Sequence, residues 1–171
     1  QQRTGGAQRG HAILLEQKRR RVAGRVGVDV PGGPVDVWVS HLSSGADREA
    51  RLREASDLVD QMGRTRTVLA ADLNARPDSR TVRRFVDQGF ADAVAAGHPG
   101  DDPPTNWAGP ASTSPDQRLD YMLVSDDPEV TAADVPGENR FGVIPAFAEQ
   151  GLGRQLLKLT FFIECQVVEY F

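Results

Sequence analysis

The spacing of apolar and polar residues predicts most of the elements. From Val22 to Val30 the valines at 22, 26, 28 and 30 fall at even intervals, the period of a half-buried strand. Pro31-Gly32-Gly33-Pro34 is turn punctuation. In VDVWVSHL, residues 35–42, Val35, Val37 and Val39 alternate again, so the two runs read as a hairpin. The period then lengthens: Leu52, Ala55, Leu58, Val59 and Met62 recur at helical spacing, with Asp47 placed to cap the helix and Gly63 to end it. A short apolar run at Val68–Ala71 predicts a strand. A second helix follows, capped by Asp78 or Ser79, with Val82, Phe85 and Val86 as its buried stripe.

Residues 97–117 are rich in proline and small polar residues and read as a long irregular loop, the kind that carries function in compact domains. RLDYMLVS, residues 118–125, is a further strand bounded by Asp126-Asp127-Pro128. HAILLEQ, residues 11–17, is too short to assign. Near the other end Leu157, Leu159, Phe161, Ile163, Cys165 and Val167 alternate with mostly polar partners, which predicts one more strand. Strands interleaved with helices after an opening hairpin point to an α/β fold with mixed sheet pairing.

Bulk properties narrow this little. The 171 residues suit one domain with a real core. A net charge of −4 gives no electrostatic footprint for nucleic acid, although an acidic enzyme can meet phosphate through a metal. Lys18-Arg19-Arg20-Arg21 is a basic run, read as a solvated edge or a binding patch. Cys165 is the single cysteine, so no internal disulfide forms and the compartment stays open. No apolar run reaches the length of a membrane span. The N-terminus lacks both an initiator Met and the apolar core of a signal peptide, which suggests a processed product or a fragment.

The chemistry concentrates at strand ends. In VLAADLNARPD, residues 68–78, the apolar run stops at Asp72, and Asn74 follows two positions on. In extended backbone the two share a face and could meet a ligand or metal; equally, Asp and Asn could simply open a turn. His41 closes the preceding strand and could be satisfied by a turn or belong to a site. Asp120, early in RLDYMLVS, could pair with Arg118, cap a turn or face the same site. Trp107 reads as a loop anchor or a substrate-facing aromatic.

Taken together, SHL, ADLN and RLDYMLVS, in this order and with a helix between the first two, resemble the endonuclease/exonuclease/phosphatase superfamily of DNase I-like, metal-dependent phosphodiesterases and phosphatases. ADLN corresponds to a Gly-Asp-Phe/Leu-Asn motif with Ala71 in place of the glycine, RLDYMLVS to an Arg-Ile/Leu-Asp-Tyr strand, and SHL to a Thr-His-Leu strand end. The resemblance covers roughly residues 20–130. It implies a two-sheet sandwich flanked by helices, with Mg²⁺ (or Mn²⁺) at one rim and Asp72 and Asn74 beside the metal. By that pattern Asp72 orients or deprotonates the attacking water and Asn74 hydrogen-bonds the phosphate. His41 donates to a phosphate oxygen, and Asp120 orients a second histidine near the C-terminus. Such residues suit a transition state that gathers negative charge, which needs hard cations and hydrogen-bond donors.

Two departures qualify the picture. The family carries an Asn and a metal-binding Glu well upstream of the His-Leu strand; Glu16 lies too close to the first valine-rich strand to replace it. The family also closes on Ser-Asp-His, yet the histidines here are His11, His41 and His98, with none after Asp120. The gap falls near VPGENRFGVIPAFAEQG, where composition changes and six of the eleven aromatics begin to collect after residue 140. A shifted reading frame, a joined foreign end or a divergent terminus would each account for this. The expected organisation is a flexible or residual segment at 1–20, a partial family domain at 21–134 lacking the first strands, and an atypical tail at 135–171. The expected function is metal-dependent phosphoester hydrolysis by in-line attack of water, weak or absent in this chain through an incomplete site. The alternatives are a non-catalytic phosphate- or partner-binding module on the same scaffold, or a fragment with no function of its own. The substrate, a phosphate ester, is not named by the sequence.

Overall fold

A computed structural model describes residues 21–30, 33–100, 104–105 and 117–125 with their side chains, and the strand backbone alone at 10–15, 128–134, 140–147, 155–156 and 159–162. Glu16, Lys18, Trp107 and the predicted strand residues Leu157, Ile163, Cys165 and Val167 lie outside the described residues.

The chain forms two sheets. The first has six strands in the order β1 (Gly10–Leu15), β2 (Arg21–Val30), β3 (Gly33–His41), β4 (Thr67–Asp72), β6 (Asp120–Val124) and β5 (Ala91–Asp92). The β2–β3 hairpin is the predicted one, pairing Val26 with Val37 and Val28 with Val35. HAILL, unassigned from sequence, is strand β1 at the edge of this sheet, inside the segment expected to be flexible or residual. β3 and β4 run parallel across the helix α1 (Arg48–Gln61), and β6 closes antiparallel on β4. The second sheet joins β10 (Leu159–Phe162), β8 (Arg140–Phe147) and β7 (Pro128–Asp134), with β9 (Gln155–Leu156) also on β8. This is the two-sheet α/β architecture flanked by helices. The alternation near the end does mark a strand, β10, but two longer strands before it were not foreseen.

Strand alternation sorts residues onto two faces. One face carries Trp38, Leu69, Ala71 and Leu123, covered by Ala55, Leu58 and Val59 of α1 and by Val82 and Phe85 of α2 (Arg80–Val86). The other carries Val35, Val37, Val68, Ala70, Met122 and Val124, joined by Ala93 of α3 (Ala93–Gly97). α3 also contacts β7 and β8, so the second sheet lies on this side.

The helix predictions need three corrections. α1 is capped by Asp47, whose carboxylate accepts from the Ala50 N–H at 2.9 Å, but it stops because Met62 turns extended, before Gly63 is reached. Its buried face includes Arg51 and Glu54, while Leu52 is only half-buried. Of the two caps foreseen for α2, Ser79 is the one used, accepting from the Val82 N–H. Val86 is 48% exposed and outside the stripe, because a seven-residue helix buries one side only through Thr81, Val82 and Phe85. Two short elements at 91–97, β5 and α3, add to the predicted set, and the last residue of α3 overlaps the loop expected at 97–117. RLDYMLVS is strand only from Asp120 to Val124.

Candidate active site

The sheet register places three of the candidate side chains in one row. His41 is the parallel partner of Asp72, and Asp72 is the antiparallel partner of Asp120. Cross-strand partners share a face, so all three stand on the face opposite α1 and α2, at the carboxyl end of β3 and β4. The row is held beyond the strands as well: the Leu42 N–H donates to the Asp72 carbonyl at 2.9 Å and the Leu73 N–H to the Leu119 carbonyl at 2.8 Å. His41 Nε2 lies 3.4 Å from Asp72 Oδ2, within ion-pair range when the imidazole is protonated; His41 is 43% exposed and Asp72 is buried.

Asn74 reaches this row by a different route from the one expected. It is not extended but left-handed, at φ 46°, a conformation Asn tolerates better than most residues. Its backbone N–H donates to Asp72 Oδ1 at 2.8 Å, and its side-chain Nδ2 donates to the Leu42 carbonyl at 2.9 Å. The Asp-Asn pair is therefore a turn, and the turn ties the ends of β3 and β4 together. The amide Oδ1 is not used in that bond.

Asp120 does not pair with Arg118. The Arg118 guanidinium instead bonds Asp92 at 2.6 Å and lies over the Tyr121 ring at 4.7 Å. Asp120 Oδ1 is buried with no hydrogen-bond partner among the described residues. Burial pushes its carboxyl up to about 7, the Asp72 charge beside it pushes the same way, and Thr105 opposes both. Burial also raises the Asp72 carboxyl, against the Asn74 N–H and the positive charges of His41 and Arg21. Two carboxylates one strand apart, both desolvated, are a concentration of negative charge that asks for a cation or a proton.

Hard oxygen donors of this kind suit Mg²⁺ or Mn²⁺. Among the described residues, however, no group of three or more His, Cys, Asp or Glu is close enough to hold a metal. Asp72 and Asn74 alone fit a divalent ion only in part.

The model of the Endonuclease/Exonuclease/phosphatase family matches residues 5–141. The chain belongs to this family. Its members are hydrolases of phosphate esters, and the match crosses both ends of the domain expected at 21–134. No match is found among curated proteins. Among solved structures, the catalytic domain of human Nocturnin with bound sulfate anion superposes at TM-score 0.61, with 21% identity over 74% of this chain and 51% of that one. Mannosyl-6-phosphatase of Bacteroides thetaiotaomicron gives 0.61 and 16% identity over 78% of this chain and 57% of that one. TDP2 of D. rerio, complexed with a single strand DNA product, gives 0.54 and 19% over 84% and 60%. Likeness at this identity is likeness of fold. The chain spans between 51% and 60% of the length of these three.

Several side chains that shape the candidate site went unnoticed in the sequence. Glu54 of α1 is fully buried and accepts from the Ser43 N–H at 2.7 Å and the Ser43 hydroxyl at 2.5 Å. Arg51 donates to the Ser43 and Gly45 carbonyls at 3.2 and 2.6 Å. Together they fasten the loop after His41 to the helix. Thr105 Oγ1 accepts from the Leu119 and Asp120 N–H groups, both at 3.1 Å, and fixes the start of β6. The Tyr121 hydroxyl donates to the Ala75 carbonyl at 2.7 Å and holds the segment after Asn74. Arg21, grouped by sequence with a basic run, sits near enough to Asp72 for its charge to be felt. Only the helical spacing of Arg51 and Glu54 with the apolar stripe could have signalled any of them.

Proposed function

We propose that this domain is built for metal-dependent hydrolysis of a phosphate ester by in-line attack of water. The observation that supports it is the cross-strand row of His41, Asp72 and Asp120, with Asn74 turned back onto it, in a chain of this family. Mg²⁺ or Mn²⁺, when bound, would supply charge neutralisation on a phosphate oxygen, with Asp72 and Asn74 Oδ1 as oxygen ligands from this chain. Asp72, desolvated and facing His41, is suited to orient a water and take its proton. His41, half-open to solvent, presents an imidazole that can donate to a phosphate oxygen as charge develops. Asp120 Oδ1 is an acceptor with nothing to accept from among the described residues, which fits a partner imidazole that the sequence after Asp120 does not supply.

Turnover by this chain is therefore expected to be slow, since loss of a positioned acid–base group costs about 10²-fold or more. Assays with bis(4-nitrophenyl) phosphate and 4-nitrophenyl phosphate test this. The expected result is a low rate that needs Mg²⁺ or Mn²⁺, stops with EDTA and vanishes in Asp72→Asn. A rate indifferent to EDTA or to that substitution would remove the reading. The absence of any histidine after Asp120 favours a second reading, a phosphate-binding module without turnover; saturable binding of phosphate esters with no hydrolysis would select it. The relatives named above include a phosphatase acting on a sugar phosphate and a protein holding a DNA product, so the substrate class is open between small phosphoesters and nucleic acid.

A further inference from the structure

Beside Asn74 lies a cavity of about 720 Å³ whose lining includes none of His41, Asp72 and Asp120. That volume is within the range of small-molecule sites. Its walls come from the loop after β3, the first turns of α1 and α2, the segment after Asn74 and the chain leading into β6. Four arginines are among its lining residues, Arg48, Arg51, Arg76 and Arg80, against two acids, Glu49 and Asp78. A cationic cavity is unexpected in a chain of net charge −4.

The four arginines divide by what they already hold. Arg51 is buried and committed to the Ser43 and Gly45 carbonyls, so it builds the wall; its Nε is buried with no partner among the described residues. Arg80 bonds Glu49 across the gap between α1 and α2 at 3.2 Å. The side chains of Arg48 and Arg76 are exposed and form no ion pair or hydrogen bond with any described residue, their hydrogen bonds to Ala46 and Ser79 being made by the backbone. Asn74 is the shared partition: it is one of the residues lining the cavity, and its backbone N–H is fastened to Asp72.

We propose that this cavity is a second anion subsite, in which Arg48 and Arg76 take a second phosphate of a substrate whose scissile phosphate lies on the other side of Asn74. The inference rests on the phosphoesterase site proposed above and narrows its substrate class to esters carrying two phosphates. Guanidinium forks match phosphate oxygens in pairs, and the two arginines arrive without competing partners. The second phosphate could sit on a nucleoside or on a sugar; the chemistry at the arginines is the same.

Equilibrium binding by calorimetry, on the full chain and without reference to turnover, tests this with two pairs of probes. One pair is adenosine 5′-monophosphate and adenosine 3′,5′-bisphosphate; the other is fructose 6-phosphate and fructose 1,6-bisphosphate. The bisphosphate should bind about tenfold more tightly than the monophosphate, the order expected of charge-assisted contacts. A gain in the adenosine pair alone assigns a nucleotide, a gain in the fructose pair alone a sugar, and a gain in both the shared chemistry. The double variant Arg48→Ala/Arg76→Ala should erase the gain and leave monophosphate affinity unchanged, and Arg48→Lys/Arg76→Lys should restore part of it. Both positions are exposed, so the fold is not at risk. Equal binding within each pair, or a gain that survives the alanine variant, overturns the subsite while leaving the phosphoesterase site standing. Failure of every probe to bind overturns both.

Discussion

The two faces of the six-stranded sheet are built from alternate residues of the same strands, yet they are finished differently. On the helix side, Trp38, Leu69, Ala71 and Leu123 are covered by α1 and α2, and the carboxyl ends of β3 and β4 carry the uncharged pair Ser40 and Ala71. On the other side the apolar belt of Val35, Val37, Val68, Ala70, Met122 and Val124 gives way at the carboxyl end to His41, Asp72 and Asp120. The first face is a place where burial stabilises; the second ends where burial costs. Two carboxylates held out of water, one with an oxygen lacking any described partner, are maintained by the packing of the rest. That contrast sets the end of the row apart from the core and supports the site proposed there.

The largest effect should come from breaking the helix side. Phe85 is fully buried in α2 and stacks edge-on against Phe90 with centroids 6.4 Å apart. Phe85→Ala should cost about 3–5 kcal/mol, as for other buried aromatics, read as a shift of the urea midpoint with unchanged slope. A cost below about 1 kcal/mol, the level of an ordinary surface change, would mean that α2 is not part of the cooperative core.

How far each face could be read from the sequence follows from the same contrast. Periodicity reports burial, so Leu58, Val59, Val82 and Phe85 were legible, as were Val35 and Val37 on the other face. His41, Asp72, Asn74 and Asp120 were legible as strand-end polar residues and through resemblance, because the register that aligns them is set by where each strand stops. The route taken by Asn74 was not legible: a left-handed turn and an extended pair begin with the same two residue types. Glu54 and Arg51 were hidden because a charged residue on a helix is ordinarily on the solvated side, and only the loop folded against them shows otherwise. β5 and α3 are too short for periodicity to register. The partner of Arg118 was out of reach because Asp92 is far away in sequence and adjacent only once β5 pairs with β6.

The second effect should be of opposite sign. The Asp120 carboxyl, raised from 3.8 to about 7, keeps its proton in the folded chain over a range where the unfolded chain has released it. Between pH 3.8 and about 7 the unfolded state binds fewer protons, so stability falls as pH rises through that window and is level above it. Asp120→Asn removes this dependence. In EDTA the variant should be close to the parent near pH 4 and more stable than it at pH 8. The gap should be on the order of 4 kcal/mol, since each tenfold change in proton affinity on folding is worth about 1.4 kcal/mol. Thermal melts across that range check it; a gap that does not open with pH would show that Asp120 is not strained by its surroundings.

The smallest effect locates the boundary between belt and site on a single strand. Val37 and Val39 stand on the same face of β3, two residues apart, yet Val37 is 4% exposed and Val39 is 45% exposed. A threonine at 37 places a hydroxyl among Val35, Val68 and Met122, where apolar side chains surround it, and should cost about 1–3 kcal/mol. The same change at 39, two residues before His41 on the same face and opposite Gly24, should stay within about 0.5 kcal/mol. The difference between Val37→Thr and Val39→Thr, measured in one denaturation series, therefore reports where the sheet stops being packed. Equal costs would mean that Val39 is covered in solution, and that the row of His41, Asp72 and Asp120 is closed rather than open to a substrate.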